Sequence, residues 1–172
     1  MTKAKPGVRK ALFAAMIVAA LPGAAQAATQ ASTIRTTLRK PVTITWLRDL
    51  DFGRIIATAT AGTVTVDPDT GARSVSGGAI LAGGTSQTAR FRIVASPATL
   101  VLITRNALPV LTRAGGGATM PVTLITMNGA VNPVTTPASG TFDVDIGGAL
   151  SVGANQADGA YSGTFQINAD YQ

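Results

Sequence analysis

The most regular pattern in this sequence is the alternation of apolar or small residues with polar residues in the last stretch, from Tyr161 to Gln172. The apolar or small positions are Tyr161, Gly163, Phe165, Ile167, Ala169 and Tyr171. A two-residue period places alternate side chains on opposite faces of a β-strand. The pattern therefore predicts one long strand with a buried face and a solvated face.

Shorter alternating or apolar runs recur from residue 41 onward, and glycine or proline separates them. We interpret these runs as strands at 42–46, 55–56, 62–66, 72–75, 88–94, 100–103, 108–111, 121–127 and 141–146. The continuous apolar run 100–103 is expected to be a central strand, and Gly147-Gly148 is interpreted as a linker. No stretch of this part shows a helical period, so the sequence predicts an all-β antiparallel sandwich.

The residue types of segment 67–71 predict a turn. The segment Asp67-Pro-Asp-Thr-Gly71 carries proline at the second position of a turn and glycine where φ becomes positive, so it predicts a hairpin. It has the first two oxygen donors of a calcium loop, but the remaining ligands of such a loop are missing. We therefore interpret it as a plain turn.

The first 27 residues have the features of a secretory signal peptide. Basic residues at its start are followed by the apolar run 11–21, and Ala25-Gln26-Ala27 has the small-x-small pattern of a cleavage site. The apolar run is too short to span a membrane. We therefore expect an exported protein, cut after Ala27, that passes through the periplasm to the cell surface or the extracellular space.

Charge gives no support to a nucleic-acid partner. The chain has 14 basic and 8 acidic residues. Four of the basic residues lie in the expected signal segment, so most of the positive excess leaves with it. The remaining arginines are scattered rather than clustered with aromatic residues, which is not the pattern of a nucleic-acid-binding face.

The available side chains also argue against catalysis. The chain has no histidine, no cysteine and no glutamate, which removes Ser-His-Asp and Cys-His catalysis and the usual zinc and copper ligands. Asp143 and Asp145 are interpreted as the solvated side of a strand rather than as an acid–base pair. We expect no enzyme activity, no cofactor and no metal.

A polar lead-in, residues 28–40, precedes the predicted domain of residues 41–172. Three of its residues share one strand face: Ile34, Thr36 and Leu38. In a buried strand Arg35 and Arg39 would have to face outward, because burying an unpaired arginine is costly. The lead-in is therefore either a disordered tail or a strand donated to another molecule.

Several motifs carry a family resemblance. They are Leu50-Asp-Phe-Gly53, Gly62-Thr-Val-Thr-Val-Asp-Pro68, the Thr70-Gly71 turn, Ser76-Gly-Gly78 and Gly159-x-Tyr-x-Gly-x-Phe. In these motifs the chain resembles an exported bacterial family, domain of unknown function family 4402. Its end also resembles the C-terminal pattern of pilins assembled by the chaperone–usher route, in which a glycine precedes alternating apolar residues and a penultimate tyrosine.

The pilin resemblance implies an assembly mechanism. Such subunits are immunoglobulin-like sandwiches that lack one strand, and the open groove is covered first by a periplasmic chaperone. At an outer-membrane usher, the N-terminal extension of the next subunit replaces the chaperone. The resemblance implies that the groove strand carries Gly159, Tyr161, Phe165, Ile167, Ala169 and Tyr171, and that the donor strand carries Ile34, Thr36 and Leu38. The implied function is a non-enzymatic, homo-oligomeric subunit of a surface fibre.

Two other classes of protein stay open. A self-contained secreted or periplasmic binding module would close its sandwich with its own strands, and the lead-in would be a tail. A small outer-membrane β-barrel also ends in an alternating aromatic strand. In such barrels the aromatic residue is usually the last one, whereas here Gln172 follows Tyr171.

Overall fold

The computed structural model describes residues 28–129 and 132–172, so the expected signal peptide lies outside the described residues. Within these ranges the regular structure is β-strand and contains no helix. Accordingly, no helix in the described ranges has the length and apolar character needed to cross a membrane. Residues 28–36 belong to a separate unit and contain no strand, and residues 37–172 form the β domain.

The described residues of the domain contain thirteen strands. They are β1 (Thr43–Arg48), β2 (Ile55–Ile56), β3 (Gly62–Val66), β4 (Arg73–Gly77), β5 (Ile80–Leu81), β6 (Ala89–Val94), β7 (Leu100–Arg105), β8 (Val110–Arg113), β9 (Thr119–Met127), β10 (Val134–Thr135), β11 (Thr141–Val152), β12 (Tyr161–Ser162) and β13 (Ile167–Tyr171). All of their pairings are antiparallel, as predicted. The two-residue strands β5 and β10 were not predicted from the sequence.

The longest strand, β11, organises the larger sheet. Its first half pairs with β6, its second half pairs with β3, and β9 pairs with its other edge. The order along this sheet is β1-β6-β11-β9-β8-β12, and the β3–β4 hairpin branches from the second half of β11. The hairpin turn is the predicted one, because Asp67 and Ala72 are joined by a 2.9 Å backbone hydrogen bond and Gly71 has a φ of 71°.

Gly147 and Gly148 lie inside β11, so their interpretation as a linker was wrong. A Cβ atom on Gly147 would collide with the carbonyl oxygen of Val66, and one on Gly148 would lie 2.5 Å from the carbonyl oxygen of Leu124. Neighbouring backbones thus approach this point of β11 from both sides. Glycine is needed because a side chain cannot fit between them.

A smaller sheet, with the order β10-β7-β13, packs against the first half of β11. Its middle strand is β7, as the continuous apolar run predicted. The core between the two sheets contains Ile93 and Val144 from the larger sheet and Val101 and Ile103 from the smaller one. The fold is therefore the predicted β-sandwich. A second apolar cluster, which includes the buried Leu150, surrounds the other half of β11.

The last stretch of the chain is two strands rather than one. β12 pairs with β8 in the larger sheet, whereas β13 pairs with β7 in the smaller sheet, and residues 163–166 connect them. The predicted faces are correct for Phe165, Ile167, Ala169 and Tyr171, which are partly buried while the polar residues between them are exposed. Gly163, predicted on the buried face, is exposed. A two-residue period determines which face a side chain takes, but it does not determine which strand lies alongside.

Candidate functional site: an open strand edge beside a groove

β13 forms an edge of the smaller sheet, with β7 as its one neighbour in the described part of the chain. Next to β7, the N–H of Gln172 donates to the carbonyl of Leu100 and the N–H of Asn106 donates to the carbonyl of Gln166, both at 3.1 Å. Backbone groups of an antiparallel strand point alternately to its two sides. Those that point away from β7 belong to Ile167, Ala169 and Tyr171. The open edge of β13 therefore presents three residues' donors and acceptors.

This edge lacks several of the usual protections against pairing with another chain, and its one charged residue is Asp170. Edge strands are commonly shortened, bulged, or interrupted by proline or lysine. β10, at the other edge of the same sheet, has two residues and lies between Pro133 and Pro137. β1, at an edge of the larger sheet, has a bulge between Trp46 and Arg48. β13 has five residues in regular register and contains neither proline nor lysine.

A groove with both apolar and polar lining residues runs along the domain and reaches Phe165, two residues before β13. Its first part, a cleft of about 490 Å³, lies between the end of β1 and residues 161–165. Its second part, a cleft of about 830 Å³, lies between residues 50–57 and residues 156–161. Five residues line both clefts: Leu50, Asp51, Phe52, Leu111 and Tyr161. We refer to the two clefts together as the groove.

Three aromatic residues line the end of the groove nearest β13: Trp46, Phe91 and Phe165. The rings of Phe91 and Phe165 are 6.1 Å apart and nearly perpendicular, a favourable edge-to-face arrangement. The indole N–H of Trp46 donates to Asp49 at 3.0 Å, yet 59% of this residue is exposed. Sequence reasoning missed Trp46 and Phe91 because their alternation indicated core positions and could not show that the groove is open above them.

Gly159 and Tyr161, two predicted groove residues, lie in the wall of the second cleft. The Tyr161 hydroxyl donates to the carbonyl of Ala157 at 2.6 Å and accepts from the Gln156 side chain at 2.9 Å. Gly159 has a φ of 137°, which favours glycine. Phe165 lines the first cleft, while Ile167, Ala169 and Tyr171 pack onto the core from β13. The predicted set therefore lies along one side of the domain in two structural segments.

The lead-in meets the domain at the C-terminal end of β13. The Tyr171 hydroxyl donates to the carbonyl of Lys40 and accepts from the N–H of Ser96, both at 2.6 Å. The N–H of Lys40 donates to the Ser96 hydroxyl at 2.8 Å, and the Arg39 guanidinium lies 5.2 Å from the centre of the Tyr171 ring. Hydrogen bonds and a cation–π contact thus hold residues 39 and 40 at this end of the strand.

The candidate donor residues are exposed and outside any strand. Ile34 is 95% exposed and Leu38 is 97% exposed. Thr36 is exposed as well. Exposure of two large aliphatic side chains leaves their apolar surface in contact with water, and covering it by another chain would be favourable.

Asp145 is paired, so its interpretation as a solvated side chain was wrong. Its carboxylate accepts two hydrogen bonds from Arg90, at 2.8 and 2.7 Å, and one each from Arg48 at 2.9 Å and Thr88 at 3.0 Å. The hydrogen bond from Arg90 is the main reason that the pKa of Asp145 lies below its ordinary value. A carboxylate stabilised as an anion in this way is a poor general base.

Asp143 has the same kind of partner. Its carboxylate accepts hydrogen bonds from Arg92 at 2.8 and 2.9 Å, and these bonds lower its pKa. In register, Asp143 lies opposite Arg92 and Asp145 lies opposite Arg90, so both pairs are cross-strand pairs between β6 and β11. They stabilise the sheet rather than form an acid–base site.

The carboxylate of Asp67 stabilises the hairpin turn. It accepts hydrogen bonds from the N–H of Asp69 at 3.0 Å and from the N–H and hydroxyl of Thr70, both at 2.8 Å. The backbone hydrogen bond from Thr70 is the main reason that the pKa of Asp67 is lowered. The described residues contain no group of three acidic, histidine or cysteine side chains placed to hold a metal ion.

These features define a class: an antiparallel β-sandwich with an open edge strand beside a groove that is partly apolar. The family model described as Domain of unknown function (DUF4402) matches residues 42–171, and the chain belongs to this family. The family resemblance in the sequence is thereby confirmed, while the likeness of the last strand to pilins stays a prediction. No curated protein and no solved structure matches the chain.

Proposed function

We propose that this protein is a non-enzymatic structural subunit of a surface fibre, in which each copy donates its lead-in to the next. The observation that carries the proposal is the open edge of β13 next to the groove. An added strand would hydrogen-bond to the outward backbone groups of Ile167, Ala169 and Tyr171. Every second side chain of that strand would face the core and cover apolar surface.

The same chain supplies a strand suited to this edge. Ile34, Thr36 and Leu38 alternate with residues that can face outward. The two large residues among them are almost fully exposed in the single chain. A single copy therefore has both a strand edge without a neighbour and a segment whose two aliphatic side chains are exposed. These are the two parts that strand donation requires.

The donating and accepting surfaces are different parts of the domain. The lead-in starts where Tyr171 holds Lys40, and the accepting edge is the length of β13. A contact between two unlike surfaces leaves one of each free at the ends of the assembly, so it produces an open chain of subunits rather than a closed dimer. A fibre is the natural product of such a contact.

An uncovered edge and groove are an aggregation hazard before assembly. The proposal therefore includes a periplasmic chaperone that covers β13 and an outer-membrane usher at which the next copy replaces it. It also includes export through the periplasm and a final location at the cell surface. The alternative is a self-contained secreted or periplasmic module, in which residues 28–40 are a tail.

Deletion of residues 28–40 tests the proposal. We expect surface material of the parent protein to run as a ladder on an unheated SDS gel and to collapse on boiling to a band near the mass of the processed chain. The deletion should remove the ladder and leave the domain folded, with a small fall in its melting temperature because the contacts of Arg39 and Lys40 with Tyr171 and Ser96 are lost. A single band for the parent under both conditions would favour the self-contained module.

Two double variants test whether assembly needs the apolar face of the lead-in or only the presence of the lead-in. Ile34→Asn together with Leu38→Asn removes the large apolar side chains that would face the core. Thr33→Asn together with Thr37→Asn changes the opposite face of the same strand. We expect the first pair to abolish the ladder and the second to preserve it. Equal ladders for both pairs would contradict strand donation by this segment.

A further inference from the structure

Asp170 has no side-chain partner, which distinguishes it from the other acidic residues in the described ranges. The chain has eight acidic residues, all of them aspartates that the structure describes. Seven accept a hydrogen bond or face an arginine: Asp49, Asp51, Asp67, Asp69, Asp143, Asp145 and Asp158. Asp170 makes no such contact with the described residues. It is exposed on β13, the strand with the open edge.

The spacing of apolar residues on the lead-in matches the spacing on β13. Ile34 and Leu38 are four residues apart, and so are Ile167 and Tyr171, the first and last residues of the strand. An antiparallel added strand can set both aliphatic residues against β13 in a single register. That register places Leu38 opposite Ile167 and Ile34 opposite Tyr171.

In this register Arg35 lies directly opposite Asp170. Both residues point to the outer face, because their neighbours on either side point to the core. The two residues form a non-hydrogen-bonded pair, because their backbone N–H and C=O groups point away from each other. In such a pair the two Cα atoms are about 4.5 Å apart. An arginine and an aspartate at that distance form a favourable cross-strand pair. In a parallel arrangement with the same span, Arg35 would lie beside Asn168 instead.

The start of the lead-in favours the same direction. Arg39 and Lys40 of the accepting copy are held at Tyr171, the C-terminal end of β13. A parallel donor would bring its own domain to that same end, where those residues already lie. An antiparallel donor brings its domain to the Ile167 end, on the side of Phe165 and the groove. Donor and acceptor domains then follow one another without competing for space.

We infer that Asp170 and Arg35 of a second copy form an ion pair that selects a basic donor strand, antiparallel to β13, with Leu38 opposite Ile167. The inference rests on the proposed function, because it names the partner and the register of the same edge. The occupant is residues 34–38 of another copy of this chain. Thr36 lies opposite Ala169 in this arrangement, and Thr37 lies opposite Asn168.

Charge reversal tests the ion pair. In the purified full chain, Asp170→Arg and Arg35→Asp should each weaken self-association by about three- to fivefold at low salt. The double variant, with both charges exchanged, should restore most of the loss. Association is measured by sedimentation or light scattering, and Asp69→Arg serves as the control because it makes the same charge change in the hairpin turn.

Disulfide trapping tests the register. The chain has no cysteine, so any disulfide must come from the two cysteines that are introduced. Cα atoms about 4.5 Å apart lie within the range that a disulfide spans. We expect Arg35→Cys with Asp170→Cys to give covalent, reducible multimers under mild oxidation. Thr37→Cys with Asp170→Cys is the matched control and should give far fewer, since the parallel arrangement is the one that brings these positions together.

The outcomes separate the two proposals. If deletion of residues 28–40 leaves self-association intact, strand donation itself is wrong. If the deletion abolishes association but the double charge variant restores nothing, donation stands and the ion pair is overturned. If multimers form through the pair at positions 37 and 170 rather than 35 and 170, the antiparallel register is overturned.

Discussion

The hydroxyl of Tyr171 donates a hydrogen bond of 2.6 Å to the carbonyl of Lys40, which is 131 residues away along the chain. The same hydroxyl accepts from the N–H of Ser96. One side chain on the last strand therefore fixes both the turn after β6 and the place where the lead-in begins. The penultimate tyrosine that suggests pilins in the sequence thus has a structural function inside a single copy, apart from any role in assembly.

Tyr171→Phe should weaken this junction. The change leaves the exposed carbonyl of Lys40 and the partly buried N–H of Ser96 without their partner, and the loss costs about 1–2 kcal/mol because water can replace the partner of the exposed carbonyl. We expect the free energy of unfolding in urea to fall by that amount. Gln172→Ala, one residue later and exposed, is the control. Equal unfolding curves for Tyr171→Phe and the parent would show that the hydroxyl contributes no stability.

Ile167→Asp should be strongly destabilising, because its side chain packs onto the apolar core and a carboxylate there has no partner. We expect a loss of about 3–5 kcal/mol. Asn168→Asp changes the adjacent residue, which is exposed, and should melt like the parent. The two melting curves are the measurement. Similar effects of both variants would mean that the faces of β13 are assigned incorrectly.

Asp145→Asn should cost about 2–3 kcal/mol, since it removes the charge that three polar partners share and leaves Arg90 and Arg48 without a counter-ion. The cost is below that of a fully buried pair because both arginines are partly exposed. Asp170→Asn is the matched control and should leave the urea unfolding of the domain unchanged. A neutral result for Asp145→Asn would contradict a stabilising role for this pair.

Stability should decrease in acid. Arg90 and Arg92 hold the pKa values of Asp145 and Asp143 below the ordinary value. A carboxyl group whose pKa is lowered by folding contributes stability above its unfolded pKa, about 3.9, and this contribution is lost as pH falls through the lower folded value. Thermal melts from pH 7 to pH 2 should therefore be flat at first and fall below about pH 4. In the Asp145→Asn variant the fall should be smaller.

Most of the longer strands, one turn and the family of this protein could be predicted from its sequence. Alternation and glycine or proline punctuation predicted most of the longer strands, and the turn at Asp67 followed from the residues that a turn requires. The central position of β7 in its sheet was predicted from the apolar run 100–103, although Leu100 is exposed and Leu102 is only partly buried. The family motifs were equally visible, and the match over residues 42–171 confirms them.

Sequence alone misassigned two segments for the same physical reason. Gly147-Gly148 looked like a linker, yet the backbones beside Val66 and Leu124 leave room there only for glycine inside a strand. The last stretch looked like one strand, yet Tyr161 and Ile167 pair with strands of different sheets. In both cases the deciding factor is a neighbour distant in sequence.

The sequence by itself determined the inward and outward positions of β13, the absence of histidine and cysteine, and the two aliphatic residues of the lead-in. These are local properties, since each depends on the residues of one segment. Within the described residues, the tertiary structure alone decided that β13 is an open edge, that Trp46 is exposed in the groove, and that Asp145 has side-chain partners whereas Asp170 has none. Pairing and exposure depend on which segments meet in space, and the order of residues along one strand does not contain that information.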